Sequence, residues 1–77
     1  MSYNRNVLIF IDWYYPAFKA GGPIKSVSNM ITLLSTELNF FIITGDRDLK
    51  DNESFHGVTL DTWLKKTDYS IIYLSKS

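Results

Sequence analysis

The chain has no cysteine, one histidine and no excess of either charge, with eight lysines and arginines against eight aspartates and glutamates in 77 residues. Without cysteine there are no disulfide staples, no cysteine-based metal sites and no thiol chemistry, which is compatible with a reducing compartment. Basic residues never cluster beyond Lys65-Lys66, so there is no broad electrostatic footprint for nucleic acid or an anionic lipid surface. Long apolar runs are missing too. VLIFI, residues 7–11, follows Arg5 but is too short for a signal-peptide core or a membrane span, and the chain is read as cytosolic. Neither GxxxxGK[ST] nor GxGxxG occurs, which excludes the P-loop and the dinucleotide fingerprint.

What is present is globular. The composition is 45% apolar and 16% aromatic, far from that of a disordered segment. A chain of this size forms one small domain and buries only about 60 to 65% of the surface its unfolded form exposes.

Val7 to Ile11 and Phe40 to Ile43 are continuous apolar runs without polar alternation, and they read as interior strands buried on both faces. Between them Ile24, Val27, Ile31, Leu34 and Leu38 follow helical spacing, with polar residues mostly on the other side. Gly22 reads as the N-cap of this helix and Pro23 as its first residue. Strand, helix, strand makes a βαβ unit with parallel strands.

Residues 45–57, GDRDLKDNESFHG, read as a polar, mobile loop. Val58 to Leu64 and Tyr69 to Leu74 then read as a hairpin turning at KKTD. The expected fold is therefore α/β: an incomplete Rossmann-like parallel sheet, a βαβ unit plus a short β-hairpin. No second helix follows to cover the sheet's other face, so the chain is expected to be the beginning of something longer.

Ligand binding is expected at DWYYPAFKAGGPIK, residues 12–25, which leaves the carboxyl edge of the first strand, where open α/β sheets bind ligands. Gly21 and Gly22 let the backbone approach a ligand closely. The N–H groups at the helix start suit an anion such as a phosphate. A tight turn into the helix is the competing reading of the glycine pair. Trp13, Tyr14, Tyr15 and Phe18 offer aromatic faces that suit stacking on a ligand, or alternatively packing in the core or between domains. Lys25 offers a charge in the first helical turn, although the helix dipole disfavours it there.

The stretch VLIFID-WYYPAFKAGGPIKSVSNMI resembles the N-terminus of bacterial family 4 glycosyltransferases of polysaccharide-building clusters. FFIITGDRD, the TW of LDTWLKK and IIYLS extend the resemblance over nearly the whole chain. It implies the GT-B fold, two Rossmann-like domains facing across a cleft, and retaining transfer of a sugar from a nucleotide-sugar donor to a saccharide or lipid-linked acceptor. Residues 1–77 would then be part of the N-terminal, acceptor-side domain, without the donor-binding domain. The resemblance further implies that Gly21, Gly22, Pro23 and Lys25 lie at the donor diphosphate and that Trp13, Tyr14 and Tyr15 contact the acceptor. No cofactor, no metal and no catalytic residue is expected within this chain, since the family's catalytic-region histidine, its Arg/Lys pair and its acidic donor-gripping motif lie later than residue 77. Peripheral membrane association of the whole enzyme stays open.

Other candidates carry less. Asp46-Arg47-Asp48 spells a DxD metal motif, but it reads better as a solvated acidic loop with Arg47 between its carboxylates. His56 reads as an exposed loop histidine, with nothing nearby in sequence to tune it as a base. Two alternatives to the enzyme fragment remain: a small non-catalytic flavodoxin- or receiver-like binding domain, and an inactive gene remnant. A receiver needs an acidic cluster and a later lysine, whereas here only Asp12 stands at the first strand's end.

Overall fold

The computed structural model describes residues 5–19 and 21–75. Its elements are β1 (Arg5–Phe10), α1 (Gly22–Leu34), β2 (Leu38–Gly45), β3 (Trp63–Lys65) and β4 (Tyr69–Leu74). They form a small mixed α/β sheet of four strands in the order β1-β2-β4-β3, with one helix. β1 pairs parallel with β2, and β2 parallel with β4, while the short β3 adds antiparallel to β4. The βαβ unit and the hairpin are therefore both present.

The core lies on one face of the sheet. Ile24 and Ile31, two turns apart on α1, are buried together with Phe40 and Ile42 of β2 and Ile71 and Tyr73 of β4. Alternate residues of the same strands point the other way. There Leu8 is 60% exposed, Phe10 74% and Leu74 45%. Phe41 and Trp63 meet edge to face on that side at 5.7 Å. The expectation of strands buried on both faces is thus corrected for the described residues. β1 is an edge strand, and its unalternating apolar sequence coexists with an alternating pattern of burial.

Three boundaries differ from the sequence reading. The N-cap is Gly21, at φ 36°, with Gly22 and Pro23 inside the first turn. The helix stops at Leu34, where Glu37 N–H reaches back to the Leu34 carbonyl at 3.0 Å, and Leu38 instead pairs with Arg5 as the first residue of β2. The strand expected over Val58 to Leu64 is confined to β3, because Asp61 takes φ 57°, a left-handed conformation incompatible with a continuous strand. Its carboxylate instead accepts Ser75 N–H at 2.8 Å and Ser75 Oγ–H at 2.6 Å, tying this segment to the end of β4. Among the described residues no helix is long and apolar enough to cross a membrane.

Candidate functional site at the carboxyl edge of the sheet

Parallel pairing makes β1, β2 and β4 end on one edge, so segments 11–19 and 46–57 emerge side by side. They stay joined for two residues beyond β1: Ile11 N–H donates to Ile43 O at 3.1 Å and Gly45 N–H to Asp12 O at 3.3 Å. Gly45 permits this approach, since a Cβ there would stand 3.2 Å from the Asp12 carbonyl oxygen.

Of the neighbouring aromatics, Tyr14 and Tyr15 stay in edge-to-face contact at 5.3 Å, while Trp13 parts from them. Trp13 turns to a groove of about 420 Å³ that it shares with Asp12, Asp46 and Arg47. Tyr14 turns into the core, 1% exposed, its ring edge-on to Tyr69 at 5.8 Å. Tyr15 lines a separate groove of about 420 Å³ with Pro16, Val58, Lys66, Tyr69 and Tyr73. The sequence treats the three as one stacking surface, but the fold leaves the Tyr14 ring covered and parts the other two. Phe18 stays 70% exposed. A further groove of about 420 Å³, beside Leu38, Phe40 and Asp68, lies at the strands' amino ends, away from this edge.

The Tyr15 groove is tied to β4 by the Tyr73 hydroxyl, which donates to the Tyr15 carbonyl. Burial, with Tyr69 and Tyr14 close by, pushes the Tyr73 phenol up to about 12, so it remains a donor at neutral pH. Burial also raises the Tyr14 and Tyr69 phenols, Ser28 partly opposing the effect at Tyr14.

Segment 46–57 is solvated over residues 50–53 and 56–57, but not at Asp46-Arg47-Asp48, which the sequence suggests as a solvated acidic loop. Asp46 and Asp48 are each 4% exposed. Arg47 does not stand between the two carboxylates: its guanidinium donates to Asp46, Nε to Oδ1 at 2.8 Å, and to the Asn52 carbonyl. Phe55 N–H closes the segment onto the Asp46 carbonyl at 2.8 Å. The Asp48 carboxylate accepts Phe18 N–H at 3.0 Å, Lys19 N–H at 3.2 Å and its neighbour Leu49 N–H at 2.8 Å. Burial alone would raise its pKa. The three backbone donors and the Lys19 charge outweigh that and hold it below the ordinary value. Outside this layer Lys19 Nζ pairs with Asp51, and His56 lies exposed 3.8 Å from an equally exposed Glu53, a pair of little energetic weight.

Gly21 and Gly22 sit exposed beyond this layer, followed by exposed Pro23 and Lys25. Gly21 N–H donates to Phe18 O at 3.1 Å, closing a turn, and Gly21 O accepts Lys25 N–H at 3.1 Å, the first bond of the helix. No side chain caps this helix start. The two glycines are not equivalent. A Cβ on either would meet nothing within 4 Å, but only Gly21 has a backbone that disfavours side chains, with φ +36°. The structure thus brings Gly21, Gly22, Phe18 and Asp48 together. Asp48 was missed as a binding partner because its Asp-rich, turn-forming surroundings announce only local N–H capture, and a partner some thirty residues away leaves no local signal.

Comparison with protein-family models, curated proteins and solved structures gives no match.

Proposed function

We propose that this chain is the acceptor-side part of a retaining glycosyltransferase of GT-B type. Its glycine turn would approach the diphosphate of a nucleotide-sugar held by a second, donor-binding domain. The sequence resemblance is the source of this reading. The observation that carries it further is the start of α1, which stands at the carboxyl edge of the parallel strands, exposed and uncapped, with open space where glycine side chains would be. Among the described residues no contact requires residue 22 to lack a side chain. Close approach of a ligand is a reason that would. The acceptor then falls to exposed Tyr15 with its groove beside Lys66, and to half-buried Trp13 with the other groove.

On this reading residues 1–77 alone transfer no sugar, because the groups that stabilise the departing diphosphate belong to the other domain, and such electrostatic stabilisation is usually the largest catalytic term. The test is Gly22→Ala in a polypeptide that also carries the donor-binding domain, with kcat/KM and Tm measured together. Transfer should fall by tenfold or more while Tm holds or rises, about 1.4 kcal/mol of lost transition-state stabilisation or more. Full transfer by a folded Gly22→Ala enzyme would reduce the glycine to a turn residue.

A further inference from the structure

We propose that Asp48 is the positioning residue of the glycine turn: its buried carboxylate grips the backbone of Phe18 and Lys19 and so fixes the direction in which the helix start at Gly21 and Gly22 faces. The functional meaning of that direction rests on the glycosyltransferase reading, but the geometry does not.

An ionised carboxylate only accepts hydrogen bonds, and burying one is costly unless its oxygens are occupied. Asp48 occupies them with backbone donors, two from a segment some thirty positions earlier in the chain and one from its own neighbour. Bonds to a charged acceptor are roughly twice as strong as neutral ones. The grip is relayed onward. Phe18 is held at its N–H by Asp48 and at its carbonyl by Gly21 N–H, and the Gly21 carbonyl receives the first helical bond from Lys25. An unbroken chain of hydrogen bonds therefore runs from the Asp48 carboxylate to the first turn of α1.

Asp48 is itself held in place. Asp51 N–H bonds to its carbonyl at 3.0 Å, and Arg47 braces the same segment between Asp46 and Asn52. Core packing anchors this loop as far as Ala17, which is 0% exposed, but not beyond it, since Phe18 is 70% exposed and Lys19 is exposed as well. From Phe18 onward the carboxylate is what holds the backbone.

The experiment is amide hydrogen exchange by NMR on the chain and on Asp48→Asn, which keeps the shape of the side chain but removes its charge and replaces one of the two acceptor oxygens by an N–H donor group. Ile42, in the core, reports global opening, and Asp61→Asn is the control, since Asp61 also accepts backbone and hydroxyl donors but at a different loop. We expect exchange at Phe18, Lys19 and Gly21 to rise by about tenfold or more relative to Ile42 in Asp48→Asn, the loss of charge-assisted bonds, and to stay unchanged in Asp61→Asn. No rise, or a rise equal to that at Ile42, overturns the proposal. Should Asp48→Asn not fold, the unmodified chain provides the same reading: protonating the carboxylate below pH 3.8 must release Phe18 and Gly21 ahead of Ile42. In the two-domain enzyme Asp48→Asn should lower kcat/KM while the Asp51→Asn variant, which loses only the outer pair with Lys19, keeps it. If the parent enzyme transfers no sugar, the glycosyltransferase reading fails, and the exchange result still decides the role of Asp48.

Discussion

The two faces of the sheet are built from the same strands and nearly the same residue types, yet they differ in almost every physical respect. On the helix side Phe40, Ile42 and Ile71 are at most 2% exposed, whereas on the other side Leu8 and Phe10 exceed half exposure. Composition is therefore not what makes a face a core. A covering element is, and α1 with the segment around Phe55 to Leu60 supplies one on a single side.

That contrast can be broken most severely from within. Ile42→Ala should cost about 2 to 5 kcal/mol, because it removes a fully buried side chain and leaves a cavity, while Leu8→Ala on the opposite face should stay within about 0.5 kcal/mol. Urea titration of both variants measures the difference, and equal losses would mean that the second face is covered in solution. The next effect is on association. Leu8 and Phe10 on the edge strand β1, Leu74 on β4 and Trp63 on the opposite edge strand β3 expose apolar side chains on this face, which invites self-association. The double change Leu8→Lys, Phe10→Lys should lower the apparent mass in light scattering without moving the far-ultraviolet circular dichroism spectrum. An unchanged mass would show that this face does not drive association.

Acid sharpens the comparison at the carboxyl edge of the covered side. The folded-state pKa of Asp48 is lowered, so its contribution is complete above the ordinary value of 3.8 and is lost as pH falls below it toward the folded pKa. Asp61, held low chiefly by the Ser75 hydroxyl and N–H, follows the same sign at the other loop. Stability measured from pH 6 to pH 3 should be flat at first and fall only at the acid end. A loss centred between pH 5 and 6 would contradict this. The smallest effect is expected at Gly22, where alanine stabilises by up to about 1 kcal/mol through the unfolded state, since its helical backbone accepts a side chain, whereas alanine at Gly21 destabilises.

Much of this fold was legible from periodicity. The 3.6-residue spacing of Ile24, Val27 and Ile31 marked α1, and the β-branched runs marked β1, β2 and β4. Leu38 misled because a residue four places beyond Leu34 fits helical spacing even when the chain has already turned toward β2. β3 was overextended because nothing about Asp61 in isolation announces its left-handed backbone. Which face is covered was illegible, as it depends on the element that packs there. The glycine pair was legible as a feature of the site, but the inequality of its members and the carboxylate beneath it were not, since a turn conformation and a partner 30 positions away are products of the assembled fold.

The hydrogen bond from the Tyr73 hydroxyl to the Tyr15 carbonyl has a consequence in time. It spans 58 positions and cannot form until β4 has docked on β2, while the Asp48 grip on Phe18, spanning 30, needs β1 and β2 to have paired. Closing such long loops carries an entropic cost that only the assembled sheet offsets. The loop that carries the glycine turn, though it precedes β2 and β4 in the chain, thus acquires its shape after they pair, and on a ribosome its Tyr15 end would stay untied until residue 73 had cleared the exit tunnel. Pulse-labelled exchange during refolding should accordingly protect Ile42 before Phe18, and the reverse order would mean that the loop shapes itself.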